Sequence, residues 1–255
     1  MDVRAIFSDS FAFTRKVFLG DPARSIVFLL LGLSMGFFLS AKNIIPQPGH
    51  FRICWQIFYS WWVWGILLIV FWLTYTLFEG YQVRIFRGSA APPSFDKGTC
   101  LIKEGVLAEL LILILSLPAF VWMFVSTSLP VLIVLLALPA LVYPVSLYLY
   151  ANSGNVWDGL RLPKILSAVQ KTGWGKYFAA WGIVVVCFLI VIAFNTALRI
   201  FLVLVPFVPA LLAFSVKYGF FGYSLAFFHV LSTQIFTRVL KEAGENNRDG
   251  SPGRI

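Results

Sequence analysis

Long uncharged apolar runs alternate along this chain with shorter segments in which basic residues interleave with apolar ones. A helix needs about 20 predominantly apolar residues to cross a hydrocarbon core. On that scale the runs beginning at Ser25 and Ile53 predict spans over about 25–45 and 55–78. Between Glu109 and Asp158 lie 48 residues without a formal charge, too many for one crossing. They suit two, over about 106–126 and 130–150, joined by the polar turn Ser126-Thr127-Ser128 ahead of Pro130. A fifth span is predicted over about 177–198. The stretch after Arg199, which carries only Lys217 before Arg238, supplies a sixth over about 204–228, with a seventh crossing split at Lys217 as the alternative. The expected fold is an all-α integral membrane protein of about six transmembrane helices in three hairpins. Residues 1–241 would form one polytopic domain and residues 242–255 a polar, disordered tail.

Each pair of spans is preceded by an amphipathic segment: Val3–Leu19, Phe95–Glu104 and Val156–Gln170. In the last, Leu160, Ile165, Leu166 and Val169 share helical spacing, with Arg161, Lys164 and Lys171 among them. That pattern suits a helix lying in the headgroup layer, where apolar and basic faces are both used. Docking of a soluble partner is the other use of such a face.

Composition turns this pattern into a statement about solvent. Of 255 residues, 60% are hydrophobic and 12% charged, about half the charged fraction of a soluble domain. A soluble fold would have to hide nearly all of 26 Phe and 9 Trp. The net charge of +9 does not mark a nucleic-acid binder, because the basic residues flank apolar runs instead of forming a basic domain. In the six-span arrangement one membrane side carries 16 of the 20 basic residues and the other only Lys42, Arg52 and Arg199. The positive-inside rule then puts both termini in the cytoplasm of a cell-membrane protein. Cys54, Cys100 and Cys187 are widely spaced and form no metal or disulfide pattern, and no secretory cleavage site follows the first run.

The second inter-span segment holds the distinctive motif: Gly80-Tyr81-Gln82-Val83-Arg84-Ile85-Phe86-Arg87-Gly88, then Pro93-Ser94-Phe95-Asp96, then Glu104-Gly105. It resembles the multi-pass membrane family of domain of unknown function 4013, found mainly in archaea and especially methanogens. The resemblance extends to Phe13–Arg24 and Tyr150–Tyr177 and departs at Gly98-Thr99, where the family has an aromatic-Gly pair. It implies an architecture and an archaeal origin, and no activity. From the residues alone, Arg84 and Arg87 stand on one face of a helical extension, within reach of lipid phosphates or backbone carbonyls. Asp96 is placed to cap a new helix after Pro92-Pro93. Binding of a ligand or partner at Arg84, Arg87 and Asp96 remains the alternative.

Ionisable and polar residues inside spans are the other candidates, since each is costly in hydrocarbon unless paired or near water. Glu109, Lys217 and Asn195 are these. Glu109 and Lys217 fall at similar depth and could pair, or each could sit separately at the interface; Asn195 could join two helices or bind a polar ligand. Gly32 and Gly36 form a GxxxG. Prolines at 118, 139, 144, 206 and 209 either kink spans or open backbone groups onto a cavity. No HExxH, clustered aspartates, GxSxG, P-loop or dinucleotide fingerprint occurs, so no catalytic residue, cofactor or metal is expected. The leading expectation is a non-enzymatic scaffold or accessory subunit that contacts anionic lipid headgroups or protein partners through its basic face. A small-solute or lipid permease is the alternative, and an intramembrane enzyme the third reading.

Overall fold

In hydrocarbon every backbone N–H and C=O must find a partner within the protein, and a helix does this locally. The long apolar runs accordingly fold as helices. The computed structural model describes residues 3–22, 25–30, 61–88, 92–95, 97–126, 128–204 and 210–249, and no strand occurs among them. The helices are α1 (Val3–Leu19), α2 (Trp61–Phe86), α3 (Gly98–Val125), α4 (Leu129–Ser153), α5 (Val156–Leu160), α6 (Leu162–Thr172), α7 (Trp174–Leu204) and α8 (Ala210–Asp249). Residues 25–30 are also helical.

Three stretches, Gly98–Val125, Leu129–Ser153 and Trp174–Leu202, are long and apolar enough to cross a membrane. They overlap the expected third, fourth and fifth spans. Their outward side chains are apolar: Leu113, Leu117, Val121 and Phe124 on α3, Ile133 and Leu136 on α4, Val186, Leu189 and Ile190 on α7. An envelope of this kind is stable against lipid and not against water, which marks the chain as a membrane protein.

α2 continues through Glu79 to Phe86, which is the helical extension expected to carry Arg84 and Arg87. Within the amphipathic segment Phe95–Glu104 a new helix starts, as expected after Pro92-Pro93: α3 begins at Gly98 and runs unbroken to Val125. Lys97, in the left-handed region, occupies the N-cap position; Asp96, the expected cap, lies outside the described residues. Val156–Gln170 divides into α5 and α6 at Arg161, ahead of Pro163. Pro118, Pro139 and Pro144 remain inside continuous helices, and α8 passes through Lys217 without a break. α8 also extends to Asp249, so residues 242–249 of the expected tail are helical. Gly32, Gly36, Pro206 and Pro209 lie outside the described residues.

Two buried clusters hold the bundle together, and α2 and α8 contribute to both. One joins Val83 and Phe86 to Leu111, Val145, Tyr177 and Ile235 across five helices. The other docks α1 and Phe28 onto Phe78, Tyr81 and Val230. α1 is therefore packed against the bundle: Phe18 meets Tyr223 and Phe227 edge-on or tilted at 5.2 and 5.3 Å, and Asp9 accepts from Arg238 at 2.7 Å.

The crossing of α2 and α3 sets the position of the site. A Cβ on Gly80 would overlap the Leu101 carbonyl, and one on Gly105 would overlap the Thr76 carbonyl. Only two facing glycines let the backbones come this close. Replacing Gly105 by Ala is expected to lower stability by about 1–3 kcal/mol, the usual cost of overpacking. Gly182→Ala, on α7 where an added Cβ meets nothing within 4 Å, should be neutral or mildly stabilising. Thermal unfolding midpoints in detergent check both; equal midpoints for the two variants would refute the tight crossing.

Candidate functional site

At the end of the bundle that carries the motif, the glycine crossing brings Arg84 and Arg87 of α2 over the first turns of α3. Arg84 Nε lies 3.2 Å from Glu104 Oε2, and Arg87 Nη1 donates to Glu104 Oε1. Each guanidinium also reaches a carbonyl: Arg84 Nη1 donates to Ser94 O at 2.8 Å, and Arg87 Nε to Ala151 O at 3.1 Å. One carboxylate and two carbonyls from three segments thus converge on two arginines, an arrangement that only a fixed fork of donors can serve. Tyr81 stacks on Phe95 with centroids 5.0 Å apart and is flanked by Phe28 at 5.1 Å. The contacts to the Ser94 and Ala151 carbonyls are of the carbonyl kind expected for these arginines, Glu104 is a partner of both that was not expected, and Asp96 lies outside the described residues.

Deeper along α2, the i, i+4 and i+7 positions Trp72, Thr76 and Glu79, with Tyr75 and Gln82, present a second polar file. Glu109 of α3 accepts from Trp72 Nε1 at 2.8 Å and from Thr76 Oγ1. Glu79 is buried and accepts from Tyr143 of α4 at 2.6 Å and from Gln82 Nε2 at 3.2 Å. Tyr75 is hydrogen-bonded to Glu79 and interacts electrostatically with both carboxylates. Thr233 Oγ1 of α8 stands 2.8 Å from both Gln82 Oε1 and the His229 carbonyl, and its single proton serves one of them at a time.

Tyr75, Glu79, Gln82, Tyr143, His229 and Thr233 line a cavity of about 240 Å³ between α2, α3, α4, α7 and α8, together with Trp181. Pro144 sharpens its polarity: lacking an N–H, it cannot satisfy the Ala140 carbonyl, and Ala140 also lines the cavity. The lining contains no Lys or Arg among the described residues, and no group of three His, Cys, Asp or Glu occurs among them that would hold a transition metal.

Of the expected site Glu109, Asn195 and Lys217, the two side chains that are described enter different contacts. Glu109 belongs to the α2–α3 contact. Asn195 joins α7 to α8, donating to Ser224 Oγ at 2.9 Å and to its own Val191 carbonyl at 2.8 Å, and is not among the cavity's lining residues. The Lys217 side chain lies outside the described residues. Sequence reasoning missed Glu79, because the apolar run was closed one residue earlier at Phe78. The available signal was the spacing of Thr76, Glu79 and Gln82 on one face of a helix that the motif itself prolongs.

A double-mutant cycle tests the ion cluster. Glu104→Gln leaves two guanidiniums short of a charged acceptor and is expected to cost about 1–3 kcal/mol. Arg84→Gln in the same background should add less than it does alone, with a coupling of about 1 kcal/mol. Additive losses in thermal or denaturant unfolding would rule out the contact.

A family model described as "Protein of unknown function (DUF4013)" matches residues 63–200. No curated protein and no solved structure matches the chain. The matched region runs from the first turn of α2 to the last turns of α7, and it contains the facing glycines, the Arg84–Arg87–Glu104 cluster, Glu79 and Tyr143. Since the match covers more than half of the sequence, the chain belongs to the DUF4013 family.

Proposed function

We propose that the protein is a cation- or proton-coupled carrier that crosses the membrane six times with both termini cytoplasmic, and that Glu79 is its coupling carboxylate. The observation that carries this reading is the placement of a buried carboxylate, ringed by hydroxyl and amide groups, in a cavity inside an apolar envelope. Intramembrane carboxylates that face a cavity mark ion and proton routes, since their cost is otherwise without return. The sign of the lining favours a positive guest: it supplies carboxylate, hydroxyl and carbonyl oxygens and no described cationic side chain. Oxygen donors of this kind suit a proton, an alkali cation or a small organic cation better than a soft metal.

The file from Glu109 through Tyr75, Glu79 and Gln82 to Thr233 gives such a guest a sequence of partners toward the motif end. Arg84 and Arg87, held by Glu104, close that end with positive charge. This favours transport over the scaffold reading, because the basic residues that would recruit a partner there are turned to internal acceptors.

Dicyclohexylcarbodiimide reacts with protonated carboxyl groups in apolar surroundings and provides the test. Mass spectrometry of the purified protein is expected to find the adduct on Glu79, formed more slowly in sodium, potassium or tetramethylammonium chloride than in an uncharged osmolyte. In proteoliposomes, Glu79→Gln should abolish the proton flux that a gradient of the protecting cation drives. Labelling that no cation slows, together with flux indifferent to Glu79→Gln, overturns the reading.

A further inference from the structure

A second concavity, of about 430 Å³, opens on the bundle surface where α6 lies against the ends of α4 and α8. Its lining divides by chemistry. Tyr148 and Leu149 of α4 and Leu240 of α8 give an apolar floor, while Lys164, Ser167 and Lys171 of α6 give a polar rim. The three rim residues are spaced i, i+3 and i+7, which puts them on one helical face, with the two lysines about 10 Å apart along the axis. The opposite face is used otherwise: Ile165 and Val169 are buried in the bundle. α6 is thus fixed by one face and offers the other to the groove.

The surroundings identify the layer in which this groove lies. Leu162 and Leu166 of α6 are exposed, as are Trp157 and Trp174 on either side of the helix. Exposed tryptophans and leucines beside lysines are the composition of the membrane–water boundary, where an indole has an apolar body and a polar edge to satisfy. A basic rim above an apolar floor at that boundary matches the two parts of a phospholipid, an anionic phosphate and an acyl chain.

We propose that this groove binds one anionic phospholipid, its phosphate between Lys164 and Lys171 beside the Ser167 hydroxyl and the start of an acyl chain over Tyr148, Leu149 and Leu240. Lys164 Nζ now lies 2.7 Å from Asp158 Oδ1, and Arg161 Nη1 stands 3.7 Å from the same oxygen. The hydrogen bond from Lys164 holds the Asp158 carboxyl below the usual carboxylate range, so it is an anion that competes with the lipid for Lys164. Arg161 remains beside Asp158 when Lys164 turns to the phosphate. The site does not depend on what Glu79 carries.

The test is native mass spectrometry of the full chain after equilibration in nanodiscs of equal phosphatidylglycerol and phosphatidylcholine. One retained phosphatidylglycerol per chain is expected, in preference to phosphatidylcholine. Lys164→Gln with Lys171→Gln should lower that retention about tenfold or more, in keeping with the contribution of a lysine near an anionic surface. Arg15→Gln with Lys16→Gln, on α1, should leave it unchanged, and Asp158→Asn should raise it by releasing Lys164. The substituted lysines are surface residues, and circular dichroism verifies that the variants are folded. Equal retention of the two lipids, retention undiminished in the double lysine variant, or displacement of the lipid by glycerol phosphate overturns the proposal, the last by assigning the groove to a soluble phosphate.

Discussion

The contact on which the rest of this structure depends is the meeting of α2 and α3 at Gly80 and Gly105. In a membrane, lipid tails are as apolar as the side chains of a helix, so helices gain little from hiding apolar surface from one another. Close van der Waals contact and internal polar bonds must hold them instead. Facing glycines provide the first directly and make room for the second. With the backbones close, Glu104 at the start of α3 falls under both Arg84 and Arg87 at the end of α2, and Glu109 one turn deeper reaches Trp72 and Thr76. Wider separation would leave the buried Glu104 carboxylate without its guanidinium partners, which is the costly state of a buried ion.

This crossing also explains why the polar groups form a file instead of scattering. α2 is apolar where it meets lipid and polar along one line, and that line is turned inward by the contact with α3. Once inward, it is completed from the other side by Tyr143 of α4 and Thr233 of α8. Bonds of this type reinforce each other at low dielectric, and each polar atom left without one is expensive. The cavity beside Glu79 is where that completion is loosest: Pro144 withholds a backbone donor, and His229 and Trp181 stand at the edge. A network that is satisfied on most sides and open on one combines rigidity with a place for a guest.

The basic residues, which read in the sequence as one class of topology signal, separate into three uses in the folded protein. Arg84 and Arg87 lock the α2–α3 corner, Arg238 ties α8 to Asp9 of α1, and Lys164 and Lys171 rim the groove of α6. Local sequence could assign none of these, because Arg84 and Lys171 occupy equivalent positions: a basic residue near the end of an apolar helix or on an amphipathic one. What separates Arg84 from Lys171 is the Glu104 carboxylate that the α2–α3 crossing brings under Arg84.

Read alone, the sequence determined the solvent, the helical class and the approximate extent of the apolar runs, since those follow from composition and from charge-free length, both properties of contiguous residues. It also contained the motif from Gly80 to Gly105, with its glycines and its charges of both signs, without indicating that the two glycines touch or that Glu104 answers both arginines. It ended the second run one residue before Glu79 and grouped Glu109 with Asn195, which the fold places on different helix pairs. Those matters were decided by tertiary structure. Tyr143 is 64 residues from Glu79, and Thr233 is 151 from Gln82. Which polar side chains meet across such distances depends on the crossing and rotational phase of whole helices, and these are fixed by the close backbone contacts that the glycines permit.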